Sequence, residues 1–259
     1  MKEFLSSTAM AFSMFSILPA PVVEWKKEHM KYMLCALPLV GMVMGAALYV
    51  WLWLCQRLNM GTALSAAGMT LIPLFLSGGI HMDGFCDTTD ALASHTPAER
   101  KREILKDSHT GAFAVIFTAA YLLLYISLCM ELTPSLQTAL VLGLHQIFSR
   151  SLGALAAVIF PPSPSVGLLS AFREAASKKA VLILLLWNLL CALSAVYIAP
   201  VSGVVCILAA VFCLLYLYRM SRREFAGMSG DLAGYLITLS QLILLISYVF
   251  TEKVVSVCF

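Results

Sequence analysis

Long apolar runs alternate along the chain with short polar and charged connections. A helix needs ~20 mostly apolar residues to cross ~30 Å of hydrocarbon. Runs at 32–55, 62–80, 112–130, 135–160, 180–199, 201–218 and 232–250 reach or approach that length, which predicts seven spans. Residues 4–18 are apolar but interrupted by Ser6, Ser7, Thr8, Ser13 and Ser16. At ~1.5 Å per residue they are short for a crossing, so an interfacial or re-entrant helix stopped by Pro19 is expected. Pro73 and the pair Gly78 and Gly79 fall near the end of the second run. Such breakers are tolerated at membrane depth where protein or a polar cavity satisfies the freed backbone groups. A short amphipathic helix is expected over 97–107, with Glu99 and Glu103 one turn apart beside Arg100, Lys101, Arg102 and Lys106.

Composition agrees: the 259 residues are 61% hydrophobic and 12% charged, against roughly 25% charged in soluble domains. The fold class expected is all-α, a polytopic helical bundle forming one membrane-embedded domain over residues 1–259. The net charge of +3 is spread over several connections rather than gathered in a basic stripe with aromatics, which argues against nucleic-acid binding. Eight cysteines form no CxxC pair and fall mostly in apolar runs, as small hydrophobes do, so neither a disulfide framework nor a zinc site is implied. No cleaved signal peptide is expected, because Lys2 and Glu3 cancel and the run that follows ends at Pro19 and Pro21 without a small-residue cleavage pattern. Of the 17 Lys and Arg, all but Arg57, Arg150 and Lys253 lie in segments 1–31, 81–111, 161–179 and 219–231, which are alternate connections. Positive residues collect on the cytoplasmic side, which puts the amino terminus inside and the carboxy terminus outside.

The same alternation puts every aspartate on the cytoplasmic side: Asp83, Asp87, Asp90 and Asp107 in one connection and Asp231 in another. In HMDGFCDTTDAL, Asp83, Asp87 and Asp90 are spaced i, i+4, i+7, so on a helix they share one face. Like charges so placed repel unless a cation sits among them, and hard carboxylate oxygens suit Mg²⁺, which bridges one or two carboxylates to substrate phosphates. The bland alternative is a solvated helix face, but the stretch is otherwise small and apolar, with Gly84, Phe85, Cys86 and Ala91. Gly78 and Gly79 either let a phosphate approach the backbone or simply end a helix. Lys106 and Asp107 precede Ser108, His109, Thr110 and Gly111, where a span begins; Asp or Ser there can cap it, and Lys106 would stand near an anionic substrate. Arg150 lies about ten residues inside its span, on the face of Gln146, with a cytoplasm-facing aspartate or a substrate phosphate as its natural partner. His145, nearby, reads as an interhelical hydrogen-bonding group. Asp231 opens the last span between Gly230 and Gly234, as a helix cap, a site residue or both. The chemistry that fits is Mg²⁺-assisted phosphoryl transfer, in which a hydroxyl displaces a nucleotide.

The blocks GGIHMDGFCDTTDAL (78–92), ILKDSHTGAFAV (104–115) and AGMSGDLAGY (226–235) resemble, in order and separation, those of the cobalamin synthases, the adenosylcobinamide-GDP ribazoletransferases. The resemblance extends over essentially the whole chain, including FSILPAP near the amino terminus. It implies a multi-pass cell-membrane enzyme, active on its cytoplasmic face, that joins adenosylcobinamide-GDP to α-ribazole or its 5′-phosphate and releases GMP. It implies Mg²⁺ dependence, with Asp83, Asp87 and Asp90 as the metal and diphosphate site and Lys106, Asp107 and Asp231 as partners. Asp90, Asp107 and His109 are the candidates for taking the hydroxyl proton. The chain departs from the family where relatives often have an early Arg (here Ile17 and Leu18), basic residues after the fourth span (here Pro161, Pro162, Ser163 and Pro164) and Glu in the last span (here Thr238 and Gln241). Two other readings share some features. A CDP-alcohol phosphotransferase shares the logic of clustered aspartates. A transporter would place its polar groups at the bilayer midplane. The lipid bilayer is the expected surrounding partner, and a homo-oligomer stays among the options.

Overall fold

Helix α8 (Leu136–Ile159) is the centre about which the chain winds. Buried positions make up 78% of its apolar window, more than in any other spanning helix. The computed structural model describes residues 2–164 and 167–258. Its other long helices are α3 (Met33–Arg57), α4 (Thr62–Leu76), α5 (Ile80–Ala93), α7 (Ala112–Met130), α10 (Ala180–Ile198), α11 (Pro200–Glu224) and α12 (Gly230–Cys258). Short helices α1 (Lys2–Phe15), α2 (Lys27–Met30), α6 (Ala98–Ile104) and α9 (Leu168–Ala175) lie between or before them. No strand occurs among the described residues, only an isolated bridge from Pro162 to Met228.

Among the described residues six helices are long and apolar enough to cross a membrane: α3, α7, α8, α10, α11 and α12. The expected second span departs from this pattern. It ends at Leu76, turns through Ser77–Gly79 and restarts as α5 at 91° to α4, so the pair is a broken span or a re-entrant loop. Gly78 and Gly79 have φ of 63° and 76°, the left-handed region that glycine enters without penalty. The glycine pair therefore makes a corner. It does not line the large cavity described below.

Close packing comes from small residues, as in membrane bundles generally. A Cβ at Gly41 would lie 2.6 Å from the Gln146 carbonyl oxygen, and one at Gly45 would lie 2.9 Å from the Gly143 Cα. Helices α3 and α8 thus touch backbone to backbone. By contrast, only 11% of the α10 window is buried, and Leu185, Leu186, Leu189, Leu190 and Leu193 face outward. Helices α11 and α12 outrun the apolar cores that predicted them, carrying Arg219, Arg222 and Arg223 on one and Glu252 and Lys253 on the other.

Candidate functional site

The α4–α5 corner sends α5 across α12, and the two helices meet at Gly84. A Cβ there would stand 2.6 Å from the backbone oxygen of Asp231. Gly84 is thus a close-approach residue that brings Asp83, one position earlier, beside the start of α12. The strand-like pairing of 161–163 with Met228 fixes that start: Ser163 N–H donates to Met228 O at 3.0 Å and Met228 N–H to Pro161 O at 2.8 Å. The cap of α12 is Ser229, whose Oγ accepts from Leu232 N–H at 3.3 Å. Ser229 Oγ in turn donates to Asp231 Oδ2 at 3.4 Å, so Asp231 braces the cap while it also lines the cavity described next.

Asp83 and Asp231 line a cavity of about 580 Å³ together with Lys106, His81 and Arg173. Phe15, Leu34, Leu37 and Phe172 give it an apolar wall. It opens at the end of the bundle where α8 finishes and α3 and α12 begin. Arg173 is fastened to the end of α8, donating to the carbonyls of Ala157 and Phe160. His81 is buried, its ring stacks on Phe15 at 5.9 Å between centroids, and its Nε2 has no partner among the described residues. The sequence reading passed over His81, Phe15 and Arg173, although His81 sits two residues before Asp83 in a block already singled out.

Helix α5 does place Asp83 and Asp87 one turn apart, and Asp87 stands in the field of Asp83, Asp231 and Asp90 together. No ion pair or hydrogen bond engages the side chains of Asp83 or Asp87 among the described residues. Asp90 has a different task. Gly111 N–H donates to its Oδ2 at 2.6 Å and Ala114 N–H to its Oδ1 at 2.9 Å, so both oxygens cap α7. The expectation that Asp107 or Ser108 would cap that helix gives way to this longer-range cap. Asp107 instead accepts from the His109 amide at 3.0 Å and lies 2.6 Å from its Nδ1. The His109 contact holds the Asp107 carboxyl below the usual carboxylate range. Neither residue lines the cavity.

Arg150 is also apart from this cavity and has no aspartate partner; its Nη1 donates to the backbone and side-chain oxygens of Gln146 at 3.0 and 2.8 Å. His145 meets Cys206 Sγ across α11 at 3.9 Å. On α6, Arg100 pairs with Glu103 at 2.6 Å, whereas Lys101 is buried against Glu224 of α11. That docks the short helix on the bundle.

No group of three or more His, Cys, Asp or Glu side chains is arranged to hold a metal ion among the described residues. Two carboxylates lining one cavity match what Mg²⁺ asks of a protein when substrate phosphates and water supply the other ligands.

These features define the class: a polytopic α-helical membrane protein with a carboxylate-bearing cavity at one end of its bundle. The chain belongs to the cobalamin-5-phosphate synthase family, whose model matches residues 7–249. It is 37% identical over 254 residues to an adenosylcobinamide-GDP ribazoletransferase of Lachnoclostridium phytofermentans, covering 98% of this chain and 97% of that one. It is 31% identical over 242 residues to the protein of that name in Clostridium perfringens, covering 93% and 96%. For the one in Geobacillus thermodenitrificans the identity is 30% over 251 residues, covering 92% of each. No solved structure matches the chain.

Proposed function

We propose that this chain joins adenosylcobinamide-GDP to α-ribazole or its 5′-phosphate, releasing GMP and forming adenosylcobalamin or its 5′-phosphate. The observation that carries the reading is that Asp83 and Asp231, from helices far apart in sequence, line one 580 Å³ cavity in a chain of this family. Cavities of this size with apolar walls and a few convergent polar groups are the usual form of small-molecule sites. The wall of Phe15, Leu34, Leu37 and Phe172 suits the flat base of α-ribazole, and Lys106 at the rim suits a phosphate.

Asp83 and Asp231 would hold Mg²⁺, with Asp87 behind them adding negative field. When bound, the cation would neutralise the diphosphate and the charge that develops on the leaving phosphate. The ribazole hydroxyl oxygen forms a bond to the phosphorus that carries cobinamide. The bond from that phosphorus to the GMP phosphate oxygen breaks, and GMP leaves with the electron pair. Of the three groups considered for the hydroxyl proton, Asp90 has both oxygens occupied. Asp107 and His109 pair with each other and line no part of the cavity, so none of the three is assigned the proton. The site faces the cytoplasm, on the argument from the distribution of Lys and Arg.

The test is turnover of adenosylcobinamide-GDP with α-ribazole by the purified protein in lipid, with and without Mg²⁺, beside a folded Asp83→Asn variant. Mg²⁺-dependent GMP release, reduced roughly 10²–10³-fold in the variant as for loss of one transition-state-stabilising group, is the expected result. A folded wild-type protein that forms no product would overturn the reaction and point to CDP-alcohol substrates or transport. Full activity in the variant would move the metal away from Asp83.

A further inference from the structure

Among the described residues Arg150 is the largest fully buried side chain, 1% exposed, and no carboxylate lies within 4.0 Å of its guanidinium. It lines a second cavity, of about 30 Å³, with His81, Tyr125, Thr70, Thr238 and Gln241. His81 borders both cavities, so the small one lies directly behind the large one.

The fully buried groups near the guanidinium that lack partners are donors or, in the case of the imidazole, can be one, and Gln241 adds an amide with both donor and acceptor to the lining. The side-chain oxygen of Gln146 accepts from Arg150 at 2.8 Å and from Gln241 Nε2 at 3.0 Å. The hydroxyl of Tyr121 donates to Thr238 O at 3.3 Å. Those bonds leave Arg150 Nε, Gln146 Nε2 and His81 Nε2 buried without partners. The Tyr125 hydroxyl, which also lines the cavity, has none among the described residues. A buried charge with no counter-charge is strongly destabilising. Water in the cavity would supply a dipole but would leave the positive charge uncompensated.

We propose that this cavity is a resident site for one halide ion, chloride in the cell, held by Arg150 with Tyr125 and a His81 tautomer that donates through Nε2. Size selects the ion. About 30 Å³ is roughly twice what a single water needs, enough for a monatomic anion and too little for a phosphate group. Charge selects its sign, because every unpartnered buried group named here is a donor or, in the case of the imidazole, can be one. The site is separate from the carboxylates and does not depend on which reaction the large cavity performs.

Thermal unfolding of the purified full chain in detergent tests this, with gluconate replaced stepwise by chloride or bromide at constant ionic strength. The melting temperature should rise with the logarithm of halide concentration, and ³⁵Cl resonances should broaden in excess of a protein-free control. Arg150→Gln should abolish both effects. Should that variant not fold, Tyr125→Phe keeps the test open. Losing one hydrogen bond to a charged group should raise the half-maximal chloride concentration roughly tenfold or more. Equal melting temperatures in chloride and gluconate without excess ³⁵Cl broadening would overturn the proposal and leave a water-filled cavity. Undiminished halide dependence in folded Arg150→Gln, or an unmoved midpoint in folded Tyr125→Phe, would overturn it as well.

Discussion

A helix usually takes its capping oxygen from the residue just before its first turn; α7 takes both of its oxygens from Asp90, twenty-one residues upstream of Gly111. The sequence made Asp90 visible as the third carboxylate of a face but gave no sign that two amide groups from the next span would claim it. Gly111 is what permits the contact, since a Cβ there would lie 2.6 Å from either carboxylate oxygen of Asp90. Gly111→Ala should therefore destabilise the protein by about 1 kcal/mol, the usual worth of a cap, seen as a lower melting temperature in detergent. The Asp107–His109 pair gives a prediction in pH. The Asp107 carboxyl is held below its ordinary range, so the bond is intact above the ordinary carboxylate range and is lost as pH falls through the lowered value. Carboxyl-labelled NMR should find Asp107 titrating at lower pH in the wild type than in His109→Gln.

At the scale of elements, hydropathy marked the spans well because lipid-facing and core-facing positions in a bundle are both apolar. Helix α7 runs over 112–130 as read, and α3, α8 and α10 differ from their runs by a residue or two at either end. The corner after Leu76 was less legible, since a window of average hydrophobicity does not register direction and the apolar character continues through it. Pro73, Gly78 and Gly79 were the available signal, but their spacing alone does not distinguish a frayed helix end from a right-angle turn. Nor does sequence spacing reveal which helix crosses α5. That Asp83 meets Asp231 depends on Gly84 and Gly234 facing each other's backbones, 3.5 Å separating the Gly84 Cα from a Cβ built on Gly234. Gly84→Ala sets a methyl against backbone, which cannot rotate away. It should separate α5 from α12, lowering turnover far more than it lowers the amount of folded protein recovered in detergent. Equal activity per folded molecule would count against the crossing as the site's organiser.

Across the whole molecule, the orientation proposed from the distribution of Lys and Arg, with the cavity's end of the bundle in the cytoplasm and the end of α12 outside, is open to test. Cysteine accessibility offers a direct check. Cys258 is exposed, Cys86 is half-buried on α5, and the other six are buried. A membrane-impermeant maleimide applied to intact cells should label Cys258, with the signal lost in Cys258→Ser. Labelling of Cys258 only after the cells are opened would invert the topology and, with it, the side from which substrate arrives.

One feature of α4 reaches into the bilayer itself. Its fifteen residues rise only ~22 Å, well short of the ~30 Å of a typical hydrocarbon core. A span that falls short draws the lipid inward around it. The chain then leaves it sideways along α5, carrying the carboxylates with it. The headgroup plane beside the site should consequently be dimpled toward the bilayer centre. Bilayers of shorter acyl chains, which need less bending to meet α4, should support faster turnover than thick ones.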